Sequence, residues 1–429
     1  MNRLADYSKN HLQRFFRTIT VPEDLGSVTD IDQEELKDFS DLDLAPGAVE
    51  AIWHAAEDLY ASGVYPMLSL AIRRRGQLIL NRSIGHAREG ELASVTTPVC
   101  LFSASKAISA TLIHLLAQQG HVHLLDPVSY YIPEFAEKGK GGVSILQLLS
   151  HRGGVPSVPE DTDVELLFDH DAVLKMVCAA EPNDGLGRIQ AYHAITSGFI
   201  INELIRITTG MNAQQFLNRY ISKPMGMRYF RYGLTKRDWE RAAENHVTGA
   251  DIKLINRGLK SVLGTDPDKV VKITNDKRFY QAVIPSANLF ATAEEVSRFF
   301  QMLLNKGQWQ GQQILEPLTV YKATRSLGKT ELDKSLMLPM RYSAGFMLGG
   351  SPVGMYGPNS QYAYGHLGFA NIMCWADPER DIAVSIMNTG KPALGPHLKT
   401  LPALIGSIAE ECYPVVDMMD ELPVYKSAG

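Results

Sequence analysis

The stretch Cys100–Ser109, CLFSASKAIS, sets a serine and a lysine three residues apart where apolar residues begin to recur at helical spacing. On a helix that spacing puts Ser103 and Lys106 on one face, one turn apart. A serine hydroxyl is a poor nucleophile until a neighbouring base takes its proton. A lysine can be that base when burial or nearby cations depress its pKa. The helix N-terminus also offers free N–H groups and a positive dipole end to a developing anion. Two polar residues at a helix start have a plainer use as well: Ser103 as an N-cap, with Lys106 reaching out of the first turn. The short S-x-x-K pattern recurs by chance, and the chain holds a second copy at Ser326–Lys329. Context separates the copies. After Ser103 come Ile108, Leu112, Leu115 and Leu116, an apolar face running to Gly120 that predicts a buried helix. The second pair lies in TRSLGKTELDKS, with a glycine inside it and charge all round, which reads as a solvated loop.

Two more segments carry compatible chemistry. IQAYHAITSGFIINELIRITTG reads as an amphipathic helix with Tyr192 at its start, where a tyrosine can be a second base or a proton relay. Taken alone, Tyr192 reads rather as a core residue with a satisfied hydroxyl. YGHLGFANIMCWADP puts His366 and Gly368 immediately before a strand. Glycine there permits close backbone approach to a ligand, and the Phe369 N–H is available to an oxyanion. His366 alone has the ordinary reading of a turn or core histidine.

These residues need a scaffold. PGAVEAIWHAAEDLYASG, from Pro46, predicts a helix with proline in its first turn and Gly63 past its end. MLSLAIRRRGQLILNRSIGHA predicts two strands turning at Arg75-Gly76, and NIMCWADPERDIAVSIMN predicts a second hairpin turning at 377–381. A helix is expected around 397–411. Between these ends, 104–120, 144–151, 191–208, 212–220 and 294–306 carry helical periodicity. The economical arrangement is one sheet built from both chain ends and flanked by terminal helices, with a helical region inserted. Its expected boundaries are an acidic extension at 1–45 packed on the surface, an α/β domain from 46–95 and 290–429, and a mainly helical domain at 96–289. The stretches 157–190 and 225–285 give the weakest signal.

Composition narrows the function classes. A net charge of -5 gives no electrostatic reason to expect nucleic acid. The one compact basic run, Arg73-Arg74-Arg75, reads as a solvated strand end. Four cysteines at 100, 178, 374 and 412 lack any C-x-x-C spacing, against a zinc ribbon or a redox pair. MNRLADYSKNHLQRFF has no sustained apolar region of a secretion signal, and no apolar run is long enough to span a bilayer, so a cytoplasmic enzyme is expected. The nucleophile elbow G-x-S-x-G, H-E-x-x-H, the P-loop and a Rossmann fingerprint are all missing from the chain, so neither a metal nor a nucleotide cofactor is indicated. His121-x-His123 with Asp126 reads as a helix-to-loop connection rather than a metal site, and Asp169-His170-Asp171 as a solvated turn.

In order along the chain stand Ser-x-x-Lys on a helix, Tyr at a helix start, and a polar residue-x-Gly entering a strand near the C-terminus. This set resembles the serine β-lactamase-related hydrolases, specifically the class C β-lactamase-like group with the family VIII carboxylesterases. LLDPVSYYIPEF (124–135), ILQLLSHRGGVPSVP (145–159) and PSANLFATAEEVSRFFQMLLNKG (285–307) fall in the expected order, and the resemblance covers roughly residues 46–410. It implies an α/β fold of the β-lactamase and penicillin-binding-protein type: an antiparallel sheet flanked by helices, a helical lobe, and the site between them. It implies Ser103 as nucleophile, Lys106 and Tyr192 sharing the general-base work, and His366-Leu367-Gly368 in place of K-T-G. The oxyanion hole would use the N–H groups of Ser103 and Phe369.

The chain also departs from the lactamase pattern. Tyr-x-Asn is here Tyr192-His193-Ala194, which lacks the amide that contacts a β-lactam side chain. His366 replaces the lysine that helps hold a penicillin carboxylate. Both changes favour neutral esters over β-lactams, with short acyl chains as the default expectation. With no counterpart of the class A deacylating glutamate, deacylation falls to Tyr192 and Lys106. The expected function is therefore a carboxylesterase working through an acyl-enzyme on Ser103, acting on a small-molecule ester. A weak β-lactamase, a D-amino-acid peptidase or an acyltransferase would use the same site. A catalytically silent binding module on the same fold is the alternative of another class.

Overall fold

Apolar alternating runs from opposite ends of the chain meet in one sheet. The computed structural model describes residues 16–36, 38–159, 162–183, 185–250, 266–416 and 418. The sheet strands are β1 (Thr29–Ile31), β2 (Met67–Arg74), β3 (Gln77–Arg88), β4 (Met347–Leu348), β5 (Tyr364–Gly368), β6 (Ile372–Asp377) and β7 (Ile382–Asn388). They lie in the order β4-β5-β6-β7-β2-β3-β1, and Glu91–Leu92 pairs on β3 as the eighth strand. Every pairing is antiparallel. The join between chain ends is β7 on β2, in register from Ile382↔Arg74 to Asn388↔Leu68.

The longer helices are α1 (Ala48–Ala61), α2 (Ser105–Gln118), α3 (His170–Ala179), α4 (Thr196–Thr209), α5 (Ala293–Leu304) and α6 (His397–Glu411). Both faces of the sheet are covered, so β2 and β7 are buried along their whole length. Period-2 alternation sends Leu68, Leu70, Ile72, Trp375, Val384 and Ile386 into the core shared with α1 and α6. Ala71, Cys374, Ala383 and Met387 point into the opposite core, which holds α5 and is continuous with the helical lobe. This is the α/β architecture expected, an antiparallel sheet between helices with a helical lobe beside it. Among the described residues no helix is long and apolar enough to cross a membrane.

Local expectations differ from the structure in several places. The acidic segment before Pro46 does more than cover the surface: Thr29–Ile31 extends the sheet as edge strand β1, and Phe16–Arg17 pairs with Gly249–Ala250. The arginine triplet is not a solvated end. Arg74 is fully buried, donating to the carbonyls of Leu42, Arg380 and Tyr413, which ties both chain ends to the β2–β3 turn. Arg73 is paired with Glu294 and lies over the Trp309 ring, while Arg75 alone is exposed and pairs with Asp43. The planar fork of a guanidinium lets one side chain be shared among several carbonyls while lying on a ring face. Asp169-His170-Asp171 is a helix start: Asp169 caps α3 by accepting from Ala172 N, and His170 stacks on Phe199. Asp126 accepts from His123 N and the Tyr131 hydroxyl, as in the connecting turn expected there. Of the weakly patterned stretch 225–285, residues 251–265 lie outside the described residues.

Candidate active site

The nucleophile candidate sits on a tight turn in front of the buried helix. Val99–Cys100 pairs with Leu289–Ala291, and Leu101 N donates to Leu289 O at 2.8 Å. The chain then turns through Phe102, whose φ of 48° is unusual for a bulky side chain. Ser103 lies in the 3-10 turn Phe102–Ala104, and α2 begins at Ser105. Ser103 is therefore not the helix N-cap; that position is Ala104, which makes no side-chain cap. Helix α2 is buried on every side from Ser105 to Leu116, not on one face. Its polar side chains are satisfied internally: Ser109 bonds the Tyr232 hydroxyl and Thr111 bonds the Ala107 carbonyl.

Lys106 does not reach out to solvent. Its Nζ lies 3.2 Å from Ser103 Oγ, 2.6 Å from Ala194 O and 2.9 Å from Ser286 O. It also stands 4.9 Å from the centre of the Tyr192 ring, and among the described residues no carboxylate pairs with it. Burial alone pulls its pKa well below the ordinary lysine value, because nothing nearby offsets the desolvated charge. The donor count matters here. A neutral amine has two N–H bonds, and two carbonyls stand ready to take them, which leaves its lone pair toward Ser103 Oγ.

Tyr192 was expected at a helix start, but α4 begins only at Thr196. The preceding residues give their backbone N–H groups elsewhere: Ala191 to His151 O, Tyr192 to Asp333 Oδ1 and Ala194 to Pro156 O. The extended backbone that results brings the Tyr192 ring against Lys106 and the Ala194 carbonyl onto Nζ. The Tyr192 hydroxyl is buried beside Ser103 with no hydrogen bond of standard geometry. Burial raises its pKa well above the ordinary phenol value, and the Ser103 hydroxyl opposes the rise.

Strand β5 closes the other side. Gly368 is required by a close approach, though to protein rather than ligand: a Cβ there would lie 2.4 Å from the Leu101 carbonyl. The strand end therefore packs directly on the nucleophile turn, and the Phe369 and Phe102 rings lie 5.6 Å apart. Leu367, Gly368 and Phe369 join Ser103 and Tyr192 in lining a cavity of about 600 Å³. His366 faces differently from what its alignment with K-T-G implied. It is buried against Tyr192, at 6.0 Å between ring centres, and stands outside that lining. Its Nδ1 lies 2.7 Å from the Leu367 carbonyl, so the ring proton belongs on Nδ1 and the lone pair on the unpartnered Nε2. Burial, with Lys106 nearby, lowers its pKa to about 3, which leaves it neutral.

Several participants escaped the sequence reading. Asp333, inside the segment taken for a solvated loop, is fully buried and accepts from Tyr192 N, the Tyr342 hydroxyl, Ser335 N and Leu336 N. His151 packs 4.7 Å from the Tyr192 ring and accepts from His193 N through Nδ1. Ser286 supplies the second carbonyl to Lys106. The apolar run ILQLL just before HRGG was the only local hint for His151, and no signal marked Asp333, since a burial 141 residues from its partner leaves no periodic trace. The second S-x-x-K pair is solvated as expected, with Ser326 Oγ bonded to Gly328 O and Lys329 exposed. Among the described residues no group of three His, Cys, Asp or Glu side chains is arranged to hold a metal ion.

Comparison with known proteins agrees with this architecture. The family profile described as Beta-lactamase matches residues 52–406. The esterase/beta-lactamase LipL of Mycobacterium tuberculosis is 28% identical over 336 residues, covering 75% of this chain and 76% of LipL. A penicillin-binding protein homologue from Caulobacter crescentus superposes with a TM-score of 0.74 at 25% identity, covering 86% of this chain and 98% of that one. A family VIII carboxylesterase superposes at 0.75 and 24% identity with the same coverage, which speaks to the fold. The chain belongs to the beta-lactamase family and is a hydrolase of that fold.

Proposed function

We propose that this member of the beta-lactamase family is a carboxylesterase working through an acyl-enzyme on Ser103. The observation that carries the reading is the Lys106 amine: buried, without a carboxylate, held by two carbonyls and 3.2 Å from Ser103 Oγ. In this scheme the neutral amine takes the Ser103 proton as Oγ bonds to the ester carbonyl carbon. The N–H groups of Ser103 and Phe369 receive the oxyanion. The carbonyl–alkoxy bond then breaks, and the alcohol takes its proton through the Tyr192 hydroxyl, which Lys106 reprotonates. Water attacks the acyl-enzyme with the same pair as base, which releases the acid and restores Ser103.

Esters are favoured over β-lactams by what surrounds the nucleophile. Ala194 brings no amide, and His366, standing in sequence where K-T-G has its lysine, is neutral, buried and outside the cavity lining, so it offers a substrate carboxylate no cation. An ester also asks less of the site than an amide, because its alkoxide leaves more readily. The test is Ser103→Ala with a p-nitrophenyl ester, together with labelling by a fluorophosphonate probe. Hydrolysis should vanish and labelling should be lost; hydrolysis near the wild-type rate would overturn the assignment.

A further inference from the structure

The cleft around Ser103 is walled by hydrocarbon from both lobes. From the helical lobe come Leu167, Val270, Ile273 and Phe279. From the sheet lobe come Met340, Met347, Met355 and Leu367. Methionine side chains adapt to irregular apolar shapes and tolerate variation in what they contact. The wall continues to the surface: Leu338 and Val353 line the cavity yet are 55% and 83% exposed, and Met337 beside them is 65% exposed. Exposed apolar side chains that continue the wall of an apolar cleft differ from scattered ones, because contiguous apolar surface marks a binding site.

Charged side chains in the cleft lining are few, Arg341 and Lys269. The Arg341 guanidinium donates to the carbonyls of Gly349 and Gln361. Lys269 is exposed, at the rim. A cavity near 600 Å³ is in the range of pockets that enclose drug-sized molecules, far more room than an acetyl or butyryl group fills.

We propose, resting on the esterase reading above, that the substrate is an uncharged ester with large apolar bulk, a chain of about eight carbons or more or its branched equivalent, rather than the short acyl ester expected from sequence. The driving force is burial of that hydrocarbon, since full burial of one methylene corresponds to about four-fold in affinity.

The experiment measures kcat/KM on the full chain for two series, p-nitrophenyl esters from acetate to decanoate and acetates of alcohols from methanol to octanol. Along at least one series kcat/KM should rise about ten-fold or more between the two-carbon and eight-carbon members. A hemiglutarate ester should run about 100-fold or more below the neutral ester of the same length. Values that are flat or falling along both series, or a hemiglutarate ester as good as its neutral counterpart, would overturn the proposal while leaving a Ser103-dependent esterase intact. If no ester of any length is hydrolysed, the esterase reading itself fails. The double variant Leu338→Glu, Val353→Glu changes exposed positions that do not hold the core. It should lower the decanoate-to-acetate ratio about ten-fold, and an unchanged ratio would count against the exposed rim as part of the binding surface.

Discussion

Replacing Gly198 by alanine tests whether the carbonyls around Lys106 set its reactivity. In an open helical position the exchange helps by roughly 1 kcal/mol, because alanine loses less conformational freedom on folding. Position 198, in the first turn of α4, is not open. The added methyl would lie 2.5 Å from Ser286 N, 2.6 Å from its Oγ and 2.8 Å from its Cβ. Ordinary contact needs roughly 3.5 Å, so the two segments must separate by about 1 Å. The obstruction is backbone, which cannot rotate aside. Ser286 is also the residue whose carbonyl accepts from Lys106 at 2.9 Å, and that bond lengthens past the hydrogen-bond limit if the segment withdraws. Overpacking of this kind costs about 1–3 kcal/mol, more than the propensity gain, so stability should fall by about 1 kcal/mol. A catalytic group displaced by about 1 Å loses on the order of 100-fold in rate. Steady-state hydrolysis of a p-nitrophenyl ester and urea unfolding would measure both effects. Gly406→Ala is the control. It lies in α6 with nothing within 4 Å of the new methyl, and should gain roughly 0.5–1 kcal/mol with activity unchanged. The reasoning is refuted if Gly198→Ala behaves like Gly406→Ala, no less stable and within about three-fold in rate.

Further outcomes are expected at three residues. Tyr192→Phe should lower kcat by about 10² to 10⁴ while the unfolding midpoint changes little, since the hydroxyl it removes is buried beside Ser103 without a hydrogen bond of standard geometry; a clear loss of stability would contradict that geometry. The pH profile of kcat/KM should rise on its acid limb as Lys106 loses its proton, at a pH well below 10.5, because burial lowers that pKa. Lys106→Arg should be inactive, since a guanidinium stays protonated; a variant keeping a tenth of the activity would exclude Lys106 as the base. Lys391 is a second buried amine, 4.7 Å from the Phe102 ring and with a pKa lowered to about 7. Between about pH 7 and 10.5 the unfolded chain binds its proton and the folded chain does not, so this group makes stability rise with pH across that window. Thermal melts at pH 7 and pH 9 should show a smaller pH dependence in Lys391→Met than in wild type, and an equal dependence would place the charge elsewhere.

How much was legible before the fold was known depended on whether the signal was local. Apolar runs in MLSLAIRRRGQLIL and NIMCWADPERDIAVSIM, each pair broken by a turn, announced β2, β3, β6 and β7, because a strand covered on both faces is written as a short, nearly continuous apolar stretch between turn residues. Serine and lysine three apart at a helix start were as local a signal, and the family could be named from the order of such pieces. What misled were residues whose surroundings arrive from far along the chain. Arg73 and Arg74 looked solvated because their partners sit at Glu294, Leu42, Arg380 and Tyr413. Asp333 looked like loop charge because the N–H it accepts belongs to Tyr192. Tyr192 looked helical because nothing nearby reveals that its backbone bonds leave for Asp333 and its neighbours' for His151 and Pro156.

The chain's own order of residues pointed to the family and so to a hydrolase of the beta-lactamase fold, while several reactions of one site stayed open. Whether the Lys106 amine is solvated or buried was decided only by folding. A buried amine between the carbonyls of Ala194 and Ser286 owes its lowered pKa to burial supplied by segments from distant parts of the chain. The room for substrate was decided there too, because its walls are contributed by two lobes that meet only in the tertiary structure.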